Sequence, residues 1–194
     1  MTTVVFANDR FVIKPRNYDS SMRMDVDPNQ TVFTDGSVVT DAYGNKMAGM
    51  GIVVVNSESA DVISIAEKTD TDINVVEAKA ILTYLRDIDD DVNRHLKFVV
   101  DTQTVMSRIW QEYQGIPVIY RTKISRRIQR VVKDIVDILV YKRNECTTFA
   151  HIYSHQGIYG NELADEAARD GTEIWRDGYM SSKHLSNCLC DIDI

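Results

Sequence analysis

Apolar and polar positions alternate along the first third of the chain in runs that predict β-strands. The runs cover residues 31–34, 48–55 and 62–68, and the turn residues Gly44 and Asn45 separate the first two. Three consecutive strands with short connections predict an antiparallel meander. Upstream, residues 4–6 and 11–13 are candidates for two further short strands.

A change in the apolar period marks the next element as a helix. Apolar residues recur every three or four positions after Asp72 or Asn74, either of which suits the N-cap, and Glu77 is expected in the first turn. A strand follows at residues 96–100 and ends on Asp101. A strand–helix–strand crossover of this length pairs its strands in parallel, so Asp101 is expected at an edge shared with other strand ends.

Two more helices are predicted in the following segment. The first begins near Gln103 and stops by Gly115, and the second covers residues 118–141. The longer helix has an apolar stripe that identifies its buried side. This stripe consists of Ile124, Ile128, Val131, Val132, Ile135, Ile138 and Leu139.

A fifth strand and a last helix complete the predicted core. The strand covers residues 147–153, and the helix covers 162–169 with Asn161 as its N-cap and Gly171 as its C′ residue. Together the elements predict an α/β fold with a five-stranded mixed sheet, three antiparallel strands and then parallel ones, flanked by helices. Residues 172–194 have no clear amphipathic period, and we expect a disordered tail.

Length and composition are those of one globular domain with extensions at both ends. The chain has 194 residues, of which 44% are hydrophobic, so we expect an extension over 1–30, a domain over 31–171 and a tail over 172–194. No apolar run reaches the roughly 18 residues of a membrane span, and no secretory signal is visible. The three cysteines do not form a disulfide framework. An intracellular, reducing location is therefore expected, with no membrane partner.

The charge is distributed unevenly along the chain. The net charge is −7, yet residues 105–143 contain nine basic and three acidic residues, which gives this segment +6 and the remainder −13. An acidic body with one basic helix is compatible with a nucleic-acid partner, although the total charge argues mildly against one.

Four acids occupy related places in the predicted elements. Asp35 lies on the first strand of the meander, Glu77 at a helix start, Asp101 at the end of a parallel strand and Asp165 in the last helix. Carboxylates that converge either raise one another's pKa or bind cations. Ligation by oxygen alone favours Mg²⁺ or Mn²⁺.

Four motifs resemble those of the type 1 ribonuclease H family. In chain order they are Thr34-Asp35-Gly36-Ser37, Glu77-Ala78-Lys79-Ala80, Val99-Val100-Asp101-Thr102-Gln103, and His155-Gln156-Gly157 followed by Gly160-Asn161-Glu162-Leu163-Ala164-Asp165. The order of strands and helices agrees as well, and the resemblance covers about residues 30–170. One such motif is weak evidence, whereas four in order are specific. The resemblance implies a ribonuclease H-like catalytic domain over residues 31–171.

The resemblance also implies a two-metal mechanism. Two Mg²⁺ ions, with Mn²⁺ as a substitute, then activate water and stabilise the leaving oxygen of a phosphodiester. Asp35 is expected to bridge both ions, Glu77 and Asp101 to hold one, and Asp165 to hold the other. His155 is expected to assist the water or the release of product.

The implied substrate is the RNA strand of an RNA–DNA hybrid, recognised through its 2′-hydroxyl groups. The residues implied to contact it are Gly36, Ser37, Asn74 and Gln103, together with Arg121, Lys123, Arg126 and Arg127 of the basic helix. Asp72 and Ile73 stand where the family often has Thr and Asn, which questions one phosphate contact. The fold also occurs fused to reverse transcriptases, so a polymerase partner is compatible with the chain, which we expect to be a monomer.

Other interpretations remain open at this stage. A catalytically inactive nucleic-acid-binding module of the same fold, or a DNA-cutting relative, would share most of these features. Glu77 alone is explained by a capping box with Asn74, and the basic run by the solvated side of a helix. His184, Cys188 and Cys190 suggest zinc, but three ligands are fewer than the four of a structural site.

Overall fold

The helices and strands follow one another in the order that the periodicity predicts, with one strand added at each end. The structure is a computed structural model, and it describes residues 9–19, 30–57, 59–119, 121–153, 156–174 and 180–186. The strands are β1 (Arg10–Ile13), β2 (Gln30–Thr40), β3 (Lys46–Val55), β4 (Ser59–Glu67), β5 (Leu96–Val100), β6 (Thr147–His151) and β7 (Met180–Ser186). The helices are α1 (Ile73–Thr83), α2 (Gln103–Tyr113), α3 (Lys123–Asp137) and α4 (Tyr159–Glu173).

The strands form a single mixed sheet with the order β1-β6-β5-β2-β3-β4-β7. The meander β2–β3–β4 is antiparallel, and β5 lies parallel to both β2 and β6. The mixed α/β fold is thus confirmed, but the predicted count of five strands is wrong, because the described sheet has seven.

The two additional strands occupy the two edges of the sheet. β1 pairs with β6, which confirms residues 11–13 as a strand, whereas residues 4–6 lie outside the described part. β7 pairs with β4 through seven residues. Disorder was therefore the wrong expectation for residues 180–186, because these residues satisfy the backbone groups along the free side of β4.

Helices cover both faces of the sheet. On one face, α1, α2 and α3 bury a cluster that includes Val32, Ile52 and Phe98. On the other face, α4 packs against Phe33, Val53 and Val99. The alternation along each strand therefore divides the core in two.

Two helix boundaries differ from the predicted ones because side chains cap the helices elsewhere. Thr122 caps α3 by accepting the Ser125 N–H at 3.0 Å, so the helix begins after residue 122 rather than at 118. Ile124 consequently lies in the first turn and is 46% exposed, outside the buried stripe. Asp72 caps α1, which places Glu77 in the second turn and rules out its capping-box role with Asn74.

The last helix is longer than predicted and lies very close to the sheet. α4 begins at Tyr159, so Asn161 is inside its first turn and Gly171 is inside the helix, not at its C′ position. A Cβ on Gly51 would lie 2.0 Å from the Ala164 carbonyl oxygen, and one on Gly49 would lie 2.2 Å from that of Ala168. These glycines allow α4 to approach β3 in direct backbone contact.

A buried ion pair joins the segments that follow α1 and α3. Each helix continues into a π-helical turn, Tyr84–Ile88 after α1 and Ile138–Lys142 after α3. The residues that follow these turns, Asp89 and Arg143, bind each other with side chains 3% and 1% exposed. The pair lies close to the starts of β5 and β6. None of the described helices has the length and apolar character that a bilayer-spanning segment needs.

Candidate active site

Two of the predicted acids are brought together by the register of the parallel strands β2 and β5. Phe33 is directly paired with Val99. Asp35 and Asp101 each follow that pair by two residues, and they therefore emerge side by side on the same face. Sequence spacing alone predicted the shared edge, and the pairing explains why these two positions meet.

Glu77 completes a cluster of three carboxylates. It projects from the second turn of α1, and its oxygen lies with oxygens of Asp35 and Asp101 in a group whose members are all within 4.8 Å of one another. Gly36 favours this approach, because a Cβ there would lie only 3.0 Å from the Glu77 backbone nitrogen. The residues come from a strand, a helix and a strand end, so the tertiary fold assembles the cluster.

The cluster is electrostatically unsatisfied when no cation is bound. Burial and, next, the charge of Asp101 raise the pKa of Asp35 to about 8, because the Gly36 N–H, which donates to Asp35 at 2.8 Å, only partly opposes them. Burial likewise raises the pKa of Glu77 to about 7, although Thr102 donates a hydrogen bond to it. Such a site gains stability by binding protons or a cation.

Asp165 lines the same cleft but is not part of the three-carboxylate group. Its carboxylate forms an ion pair with Arg169, one helical turn later, with 2.7 Å between Oδ2 and Nη2. The Asp165 side chain is 33% exposed. Its charge is close enough to contribute to the raised pKa of Asp35. Asp165 therefore lines the cleft near the cluster, with its carboxylate engaged by Arg169.

The donor set fits a hard divalent ion. All the grouped atoms are carboxylate oxygens, and their separations are short enough for one ion to contact several of them. Two of the three carboxyl groups have raised pKa values, so a cation would compete with protons for the site. Asp35, Glu77 and Asp101 are the residues that could hold it.

The cleft and its carboxylates lie within a segment that matches a known family. The family model for RNase H matches residues 27–173, about three quarters of the chain. The chain belongs to the RNase H family. The resemblance of its motifs to the ribonuclease H family is thereby confirmed.

Solved structures share this RNase H fold at low sequence identity. LC9-RNase H1, described as a type 1 RNase H with the type 2 active-site motif, is 14% identical with a TM-score of 0.62, and the match covers 82% of this chain and 80% of that one. The PFV RNase H domain is 18% identical with a TM-score of 0.53, over 76% of this chain and 96% of that domain.

A third similar structure contains the fold as part of a larger protein. The foamy viral protease-reverse transcriptase in complex with RNA/DNA hybrid is 19% identical with a TM-score of 0.56, over 81% of this chain and 22% of that one. At these identities the likeness shows the fold alone. No curated protein matches the chain significantly.

The residues predicted to contact substrate in this RNase H-family protein separate into two groups. Gly36, Asn74 and Gln103 line the cleft, whose volume is about 460 Å³, whereas Ser37 lies further along β2. The basic residues Arg121, Lys123, Arg126 and Arg127 are exposed near the start of α3 and are not part of the cleft lining. His155 lies outside the described residues.

Several residues of the RNase H site were not predicted from the sequence. Thr102, Thr104 and Glu162 also line the cleft. Asn161, predicted only as a cap, is 5% exposed and lines it too, and its side-chain oxygen has no hydrogen-bond partner within the described residues. The motif around Asp165 indicated the right segment, but the wrong helix start concealed which way Asn161 faces.

Proposed function

We propose that the protein is a metal-dependent endoribonuclease that hydrolyses the RNA strand of RNA–DNA hybrids. The observation that carries this proposal is the meeting of Asp35, Glu77 and Asp101 in an open cleft of an RNase H-family fold. Asp35 and Glu77 form no ion pair with a lysine or an arginine among the described residues. Structural acids are usually paired when they are buried, so this arrangement serves binding better than stability.

Asp35, Glu77 and Asp101 are proposed to hold Mg²⁺, with Asp165 opposite them for a second ion. When bound, the ions supply an activated water and charge stabilisation at the leaving oxygen. Asp35 is suited to the central position because it is the most buried of the four and feels the charges of the other three. Release of Asp165 from Arg169 would free its oxygen for ligation. His155 is proposed to assist the water or product release.

Substrate contacts are proposed on both the cleft and the basic helix. Asn74 and Gln103 present amide groups at the cleft, which suits hydrogen bonding to the 2′-hydroxyl groups and base edges of a minor groove. Arg121, Lys123 and Arg126 present exposed cations suited to phosphates. The RNA/DNA hybrid in the complex of the foamy viral neighbour supports this substrate, and that protein's reverse transcriptase part supports a polymerase partner.

Digestion of strand-specifically labelled hybrid tests the proposal. With Mg²⁺ we expect internal cuts in the RNA strand and none in the DNA strand, in duplex DNA or with EDTA. Asp35→Asn should show no detectable cleavage, whereas Asp87→Asn, at an exposed acid beyond α1, should cleave like wild type. Hybrid binding without cleavage under Mg²⁺ and Mn²⁺ would instead support an inactive binding module, and cuts in duplex DNA would support a DNA-cutting relative.

A further inference from the structure

A buried carboxylate outside the cleft joins the loop before α1 to the basic helix. Asp70 lies between β4 and α1, and its side chain is 7% exposed. One of its oxygens pairs with Lys79 of α1 and the other with Arg127 of α3. The four motifs of the sequence do not include Asp70, and no periodicity indicated it.

The contacts around Asp70 form a network with balanced charge. Lys79 also contacts Glu67 at 3.1 Å and the Thr69 hydroxyl at 2.8 Å, while Arg127 donates to the Thr69 carbonyl oxygen at 3.4 Å. Two acids and two cations are therefore matched. The Asp70 carboxylate is buried and forms an ion pair on each side, although the oxygen that faces Arg127 accepts no aligned hydrogen bond within the described residues. Because of this burial and double pairing, the positions of its partners are more restricted than those of an ordinary surface pair.

Arg127 is consequently unlike the other basic residues near the start of α3. Its guanidinium pairs with Asp70, yet its side chain is 51% exposed, so part of the side chain remains accessible to solvent. Arg121, Lys123 and Arg126 form no ion pair within the described ranges. The loop that contacts Arg127 leads within four residues of Asp70 into Ile73 and Asn74, which line the cleft.

We propose that Asp70 is a positioning residue for substrate binding, which holds the Arg127 guanidinium so that its free side contacts a phosphate of the nucleic acid that leaves the cleft past the start of α1. This inference rests on the proposed function. An arginine already fixed by a carboxylate loses less side-chain freedom when it binds a phosphate. Its planar, forked guanidinium also has enough donors for the carboxylate and the phosphate at once.

The sign of one effect separates this role from simple electrostatics. Asp70→Asn removes a negative charge close to the proposed path of a polyanion. If Asp70 acted only through its charge, the substitution would tighten hybrid binding. If Asp70 positions Arg127, the substitution weakens binding, because Arg127 becomes free to adopt other rotamers.

The test is equilibrium binding of a fluorescein-labelled RNA–DNA hybrid, followed by anisotropy in EDTA over a range of salt concentrations. We expect Arg127→Ala to weaken binding about tenfold and to reduce the salt slope by about one. Asp70→Asn should weaken it by about three- to tenfold. The double variant should bind no more weakly than Arg127→Ala, because both changes remove one contact. Cleavage assays should show a raised KM with kcat unchanged.

Arg127→Lys provides a second variant in case Asp70→Asn fails to fold. Lysine keeps the charge but cannot engage both partners in a fixed plane, so its affinity should fall close to that of Arg127→Ala. Arg86→Ala, at an exposed arginine beyond α1, is the matched control and should leave binding unchanged.

Two results would overturn the inference while leaving the proposed function intact. The first is an Asp70→Asn variant that binds the hybrid as tightly as wild type or more tightly. The second is a double variant whose loss of affinity equals the sum of the two single losses, which would indicate a merely structural role for Asp70. Wild-type protein that binds hybrid without cutting it would refute only the endonuclease proposal, and wild-type protein that does not bind hybrid would refute both.

Discussion

Replacing Asp35 by Asn should abolish cleavage and at the same time stabilise the metal-free protein. Asp35 is 6% exposed and lies beside Glu77 and Asp101. Its pKa is raised to about 8, first by burial and then by the charge of Asp101. The folded protein is therefore destabilised when Asp35 is ionised. Asparagine removes that charge and keeps the oxygen that accepts the Gly36 N–H.

The pKa gives the size and the pH range of the effect. Below about pH 4, Asp35 is protonated in both the folded and the unfolded chain, so it does not lower the free energy of unfolding. As the pH rises from 3.8 to about 8, the folded state binds more protons than the unfolded state, so stability falls. At about 1.4 kcal/mol per pH unit, the loss reaches at most about 6 kcal/mol at pH 8. At pH 5 it should be about a third of that.

Thermal unfolding in EDTA, followed by circular dichroism at pH 8 and pH 5, measures this difference. A gain of only 2 kcal/mol would raise the Tm of a protein of this size by about 4–8 °C. Asp87→Asn, an exposed acid with a 60% exposed side chain, is the control for removal of one negative charge. Added Mg²⁺ should raise the Tm of wild type but not of Asp35→Asn, because a hundredfold excess over Kd adds about 2.7 kcal/mol to the free energy of unfolding.

An Asp35→Asn variant that is no more stable than wild type in EDTA at pH 8 would contradict this prediction. It is refuted equally if the gain is the same at pH 5 as at pH 8, because the difference would then not arise from the ionisation of Asp35. A gain matched by Asp87→Asn would indicate a general effect of the acidic net charge instead.

Two further substitutions test the packing of the fold. Asp89→Asn leaves Arg143 buried without its counter-charge, so the free energy of unfolding in urea should fall by about 3–5 kcal/mol, while Asp90→Asn, at an 83% exposed acid, should change little. Equal effects would contradict the importance of the buried pair. Gly51→Ala places a Cβ 2.0 Å from the Ala164 carbonyl oxygen and should cost at least about 1–3 kcal/mol. Gly44→Asn, in open space at φ +83°, should be tolerated, and the reverse order would refute the close contact between α4 and β3.

The positions of Asp35 and Asp101 could be predicted because local patterns determine them. Each lies at the end of an apolar run. The helical crossover makes β5 parallel to β4, and therefore parallel to β2 of the antiparallel meander. Glu77 was found for a partly wrong reason. Its helix was predicted correctly, but Asp72 rather than Asn74 is the cap, so Glu77 reaches the cluster from the second turn.

β7 could not be predicted because its sequence lacks the usual signal. Residues 180–184 are exposed, so no apolar alternation identifies the strand. Its stability comes from backbone pairing with β4, which depends on the tertiary fold. The start of α3 was similarly hidden, because the apolar residues of the preceding loop continue the periodicity of the helix. Only the Thr122 cap shows where the helix begins.

Asp70 could not be predicted because its partners are distant along the chain. Its partners Lys79 and Arg127 are 9 and 57 positions away, on two different helices. Nothing in the local sequence distinguishes it from the neighbouring acid Asp72, which caps α1. A pairing of this kind becomes visible only when the helices are packed, so a motif-based prediction could include Arg127 without explaining what holds it.

The two ends of the parallel strands are built on opposite electrostatic principles. Near the starts of β5 and β6, the buried carboxylate of Asp89 is matched by Arg143 and by Arg94. At the opposite ends, the buried Asp35 and the half-buried Glu77 lie against another acid, and their pKa values are raised. The same sheet thus pairs a buried acid with arginines at one end. A general tolerance of buried charge therefore does not explain why Asp35 and Glu77 lack such partners at the other end. Their cost is offset if a cation binds, which is why metal binding and the stability of Asp35→Asn should change in opposite directions.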